Sequence, residues 1–158
     1  MIELSNNLPK SELPIRLLHV NSDLEHSPVL FEDLVLGLDP SAYDQTVIYL
    51  YGDPSTPARL AHAGIKVIPL GLCKGQLRGL KKFLHIRRIA RIIRERQPDI
   101  IHPQRHKSTV LAVVAARLAD SKARILTTVH GEARSRNWRR YLLNLWILRR
   151  LHRIVACS

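Results

Sequence analysis

His130 and Gly131 close a β-branched run over residues 125–129, and this pair is the first place to look for chemistry. An imidazole near neutral pH can donate to, or accept from, a hydroxyl or a phosphate. A glycine beside it lets the backbone turn and approach a ligand closely. The competing role for His130 is structural, as the cap of a turn. His102 and His106 are four apart, a spacing that could offer two metal ligands on one helix face, but Pro103 lies between them. No metal site is expected. Residues 21–28 follow the first apolar run and contain neither G-x-G-x-x-G nor G-K-[ST], so a dinucleotide or P-loop nucleotide is not expected. The G-x-S-x-G elbow and the H-E-x-x-H pair are also missing from the sequence.

Charge supplies the second signal. The net charge is +12, but residues 1–73 hold 4 Lys/Arg against 9 Asp/Glu, and residues 74–158 hold 21 against 4. A cationic half of this kind implies an anionic partner: nucleic acid, anionic lipid or a phosphorylated substrate. Residues 80–97 have helical spacing. Phe83, Ile86, Ile89, Ala90 and Ile93 fall on one face, and Lys81, Arg87, Arg88, Arg91 and Arg94 on the other, interrupted by Leu80 and Leu84. Lys81, Lys82, Leu84, Arg87, Arg88 and Arg91 are therefore candidates for an anionic membrane surface, where arginine stems snorkel and leucines dip into the headgroups. The competing reading is a solvated amphipathic face. Nucleic acid is the weaker partner, because aromatic residues are 5% of the chain and Tyr43, Tyr49 and Tyr51 lie in the acidic half.

These residues need elements to position them. Residues 1–14 read as a flexible leader and 15–158 as one domain. Strands are expected at 15–20, 46–51, 65–70, 99–102, 125–129 and 154–157. Helices are expected from Pro28 to Leu38, at 56–63 with Gly64 as the stop, and at 80–97, 108–118 and 138–153. Alternation of strand and helix argues a parallel sheet with helices on both faces, an α/β Rossmann-like three-layer domain. Ligands of such sheets sit at the carboxyl ends of the strands, which places loops 21–27, 52–55, 71–79, 102–108 and 130–137 around the site.

Composition narrows the class. A length of 158 residues suits one domain, and 46% hydrophobic residues can form a core. The apolar run near 142–148 is far short of the ~20 residues of a membrane span. No cleaved signal peptide is expected. Cys73 and Cys157 have no paired spacing, so neither a disulfide scaffold nor a four-cysteine zinc site is expected, and a cytoplasmic location is the default.

With these residues in view, the chain resembles the N-terminal domain of family 4 glycosyltransferases, which have the GT-B fold. Residues 15–20 look like the family's first strand. Gln97-Pro98-Asp99-Ile100-Ile101-His102-Pro103-Gln104-Arg105-His106-Lys107-Ser108 resembles its "PDIIHxHxxKS" element, and 112–118 the Ala-rich helix after it. Thr127-Thr128-Val129-His130-Gly131 resembles "T-x-HG", and residues 151–158 the closing "aDrivavS" strand. The family's usual Gly-Gly pair after the first strand is replaced by Glu25-His26-Ser27-Pro28.

The resemblance implies sugar transfer from a nucleotide-sugar donor, with the acceptor held by this domain and the donor by a C-terminal domain absent from this sequence. It implies a catalytic role for His130 near the transferred sugar. Gly131, Lys107, Arg105 and Ser22 become candidates for binding substrate, the two cations for an anionic acceptor. No cofactor is expected on this chain; the donor would bind the complete enzyme. Expected partners are a donor-binding domain or subunit, a glycan or lipid-linked acceptor and an anionic membrane, so that the protein would lie at the inner face of the membrane. Bacterial surface glycan or lipopolysaccharide synthesis is the expected setting. A single half cannot build both walls of the cleft, so this chain alone is expected to be inactive. The alternative is a non-catalytic membrane- or partner-binding module.

Overall fold

A computed structural model describes residues 13–23, 29–51, 58–72, 81–130 and 145–157. Ten elements are named: β1 (Ile15–Asp23), α1 (Val29–Leu36), β2 (Tyr43–Tyr51), α2 (Ala58–His62), β3 (Lys66–Leu72), α3 (Lys81–Arg96), β4 (Ile100–Pro103), α4 (Arg105–Leu118), β5 (Arg124–His130) and β6 (Arg153–Cys157). The six strands form one sheet in the order β3-β2-β1-β4-β5-β6, and every pairing is parallel. This is the Rossmann order, whose direction of winding reverses between β1 and β4. The α/β expectation holds.

Strand alternation divides the core into two layers. Leu18, Val20, Ile48, Leu50 and Ile101 meet Ile86, Ile89, Ala90 and Ile93 of α3 and Leu111, Ala112 and Ala115 of α4. On the opposite face Val47 and Tyr49 pack with Phe31 and Val35 of α1 and Leu60 of α2. Burial of each large aliphatic chain contributes about 1.5–3 kcal/mol. At the amino edge Arg16 holds Asp99 through its backbone N–H (2.9 Å) and both guanidinium contacts (3.3 and 3.2 Å). That pinning of β1 to β4 draws the Asp99 carboxyl below the usual carboxylate range.

Several boundaries differ from the sequence expectation, each for a local reason. Helix α2 stops at Gly64 as expected, in the left-handed region (φ +69), with its N–H on the Ala61 carbonyl. Strand β1 runs on through Asp23, so Ser22 is a buried strand residue and not part of a loop. Helix α4 starts at Arg105, three residues before the expected start, because Gln104 is tied to β1 by its N–H on the Val20 carbonyl (2.9 Å). The expected helix over 138–153 is helical at 145–148 within the described residues. There the Arg150 and Leu151 amides bond three residues back, and the His152 amide joins the Ile125 carbonyl, passing the chain into the sheet.

Candidate functional site at the carboxyl edge of the sheet

The winding reverses between β1 and β4, with α1 and α4 packed on opposite faces of the sheet, and the carboxyl ends of the strands at such a point are where ligands of open α/β sheets bind. Helix α4 presents its amino end there. Its N-cap, Gln104, makes no side-chain cap, and its first turn has no acidic residue. The amides of that turn and the positive end of the helix dipole are therefore not neutralised by a side chain of their own. Arg105 and Lys107 sit in this turn, both exposed. Arg105 adopts φ +65, a conformation costly for any residue with a Cβ and frequent at functional sites. Ser108, one residue on, is fully buried and its hydroxyl has no hydrogen-bond partner. Orphaned buried hydroxyls are rare; Ser108 closes the quoted "PDIIHxHxxKS" element but was not named among the candidate site residues.

His130 is the last residue of β5, at the same edge, with its backbone in register with Cys157 of β6. Ser22 lies near the end of β1, its N–H on the Asn21 Oδ1 atom (2.7 Å). The fold thus brings Ser22, Arg105, Lys107 and His130 to one edge. Gly131 lies outside the described residues.

Behind this edge a polar row crosses the sheet that the sequence motifs did not reveal. His19 Nδ1 faces His102 Nδ1 at 3.1 Å, His19 Nε2 meets Gln45 Oε1 at 3.2 Å, and His102 Nε2 meets the Thr128 hydroxyl at 2.8 Å. Both imidazoles are buried. Burial, and then the neighbouring His102, push His19 down to about 3; burial pushes His102 down to about 4. Both are neutral at physiological pH. His102 is committed to this row and does not pair with His106, and no cluster of three metal-ligating side chains occurs among the described residues.

The third feature lies away from the edge, on the solvent side of α3. Arg87, Arg88, Arg91 and Arg94 line a groove of about 520 Å³ with Phe83 and Leu118. Phe83, on the apolar face read from the sequence, is 54% exposed, and Leu84 is 63% exposed; Ile92, which that face left out, is buried. The cations differ in freedom. Arg91 pairs with Glu95 at 2.7 Å, Arg88 donates to the Leu70 carbonyl at 3.2 Å, and Arg94 to the Leu118 carbonyl. Arg87 lies over the Phe83 ring, 5.9 Å from its centroid. Lys81 and Lys82 begin the helix.

Comparison with known proteins decides the family. Residues 29–158 match the family described as "Glycosyl transferase 4-like domain". The chain belongs to that family. Its Rossmann-like α/β fold matches part of solved GT-B glycosyltransferases. A glycosyltransferase from Rickettsia africae superposes with a TM-score of 0.67 at 20% identity, covering 92% of this chain and 37% of that one. The apo form of the lipopolysaccharide outer core galactosyltransferase WaaB gives 0.59 at 14% identity, over 72% of this chain and 32% of that one. A UDP-GlcNAc 2-epimerase from Methanocaldococcus jannaschii gives 0.62 at 11% identity, over 91% and 40%. The same fold therefore serves a transferase and an epimerase, and the family match, not the superposition, points to glycosyl transfer. The glycosyltransferase-like chain spans about a third to two-fifths of the length of these structures. No curated protein matches the sequence.

Proposed function

We propose that this glycosyltransferase-like domain is the acceptor-binding half of a nucleotide-sugar-dependent glycosyltransferase of bacterial surface glycan or lipopolysaccharide synthesis, and that it needs a donor-binding half to act. The observation that carries the reading is the uncapped, acid-free amino end of α4, with Arg105, Lys107 and the unbonded Ser108 hydroxyl, at the edge where β5 delivers His130. Backbone amides, a helix dipole and two cations at one place suit a phosphate-bearing acceptor. His130 would hydrogen-bond a hydroxyl of the transferred sugar, and Gly131 would let the backbone close on it. The donor half would supply charge stabilisation for the departing nucleotide.

The α3 groove supports a second element of the reading. Four arginines beside exposed Phe83 and Leu84 suit the headgroup layer of an anionic membrane, where each cation contributes about 1 kcal/mol. Among the described residues no helix is long and apolar enough to cross a membrane. Docking would be peripheral, at the inner face, where lipid-linked acceptors lie. The same groove favours the alternative of a non-catalytic membrane-binding module.

The test is turnover by the complete enzyme carrying His130→Ala. A positioned histidine at the reacting centre contributes about 100-fold or more. The reading expects a fall of that size with an unchanged circular dichroism spectrum. Turnover equal to that of the unaltered enzyme would remove His130 from the mechanism.

A further inference from the structure

The ladder between β4 and β5 is interrupted where the site begins. Ile100 pairs with Arg124 and Ile101 with Ile125; the next bridge is the isolated Gln104–Thr128 pair. Pro103, which has no N–H to donate, lies in the gap. Side chains replace the missing backbone bonds on both faces of β5. On the α4 face the Thr127 hydroxyl donates to the Pro103 carbonyl (3.1 Å) and lies 2.7 Å from the Thr109 hydroxyl. On the other face the Thr128 hydroxyl meets His102.

The polarity of the second link is fixed from its far end. The Gln45 amide nitrogen donates to the Val35 carbonyl at 3.0 Å, so its oxygen faces His19 and must accept. His19 therefore carries its proton on Nε2 and leaves Nδ1 as an acceptor. His102 must then carry its proton on Nδ1, which leaves Nε2 to accept from Thr128. One backbone carbonyl in α1 thus sets, through four side chains, the direction of the bond that holds β5.

We propose that His102 and Thr127–Thr128 are positioning residues that hold the carboxyl end of β5 against β4 in place of the interrupted ladder, with His19 and Gln45 locking the tautomer of His102. The proposal rests on the reading of His130 as a site residue, since His130 is two residues beyond Thr128 on the strand so held.

The test uses the full 158-residue chain. Thr128→Val keeps the shape and removes the donor, whereas Thr128→Ser keeps the donor. Amide hydrogen exchange at residues 128–130 is expected to quicken at least 10-fold in the valine variant, to change less than about 2-fold at residues 124–126, and to return to the original rate in the serine variant. Nitrogen-15 spectra of the unaltered protein should show His19 protonated at Nε2 and His102 at Nδ1. Unchanged exchange in Thr128→Val, or the opposite tautomers, would overturn the proposal. If the valine variant does not fold, the tautomers alone decide. In the complete enzyme Thr128→Val should lower kcat and leave KM unchanged. Neither exchange nor tautomer depends on sugar transfer, so failure of the functional reading would leave their outcome interpretable.

Discussion

The row from Gln45 to Thr128 and the arginine groove on α3 are polar in opposite ways. In the row, each donor and acceptor has one partner, the groups are buried and uncharged, and a single proton arrangement satisfies all of them. A buried polar group without its partner costs about 1–3 kcal/mol, so alternative arrangements are excluded. In the groove the groups are charged and exposed, and their partners are surface carbonyls, one carboxylate and an aromatic face. Exchanging such partners for a phosphate costs little. Buried polarity of the first kind fixes geometry, and exposed polarity of the second kind is available to a partner.

Acid breaks the first region most completely. Both imidazoles have folded-state values depressed below the ordinary 6.5, His19 to about 3 and His102 to about 4. The unfolded chain therefore binds more protons below pH 6.5, and stability present above that pH is lost as pH falls toward 4. The loss is about 2 kcal/mol per imidazole between pH 6.5 and 5. Urea midpoints measured across that range should fall steeply, and a flat profile would show that the pair is charged or solvated in the folded state. Next in size, His102→Leu strands His19 Nδ1 and the Thr128 hydroxyl, with an expected loss of about 3 kcal/mol in urea unfolding. A loss below about 1 kcal/mol would mean that the row is not a connected unit.

Smaller effects sharpen the contrast. Ser108→Ala removes a buried hydroxyl with no partner and should raise stability by about 1 kcal/mol. Destabilisation would reveal a bond to that oxygen. Glu95→Gln should change stability by less than about 0.5 kcal/mol, because its partner Arg91 is an exposed i,i+4 neighbour. A larger change in thermal unfolding would make the groove a structural network instead of an available surface.

Much of this fold was legible because strand and helix alternate with clear hydrophobic periods. All six strands were anticipated, and Gly64 and Pro98 end α2 and α3 near the expected places. The errors occurred where tertiary contacts override local pattern. Arg105 begins a helix with a left-handed φ, which propensity cannot anticipate, and Phe83 has core character but lies on the outward side of α3. Edge residues such as His130, Arg105 and Lys107 could be nominated from motif and position. The His19–His102 row could not, because its four members come from four strands, and although His102 and Thr128 lie in quoted motifs, nothing in those motifs says that they meet His19 and Gln45. The only hint was polar residues at 19, 45, 102 and 128 inside otherwise apolar strands.

Turnover of the complete enzyme on one acceptor, presented either in anionic vesicles or in soluble form, tests the division of labour most directly. His130→Ala should lose about 100-fold on both presentations, because the proposed function puts it at the reacting centre. Arg87→Glu combined with Arg91→Glu should lose at least about 25-fold on vesicles, at roughly 5-fold per cation, and remain close to unaltered on the soluble acceptor. Equal losses for the two variants on both presentations would contradict the separation of a substrate edge from a docking face.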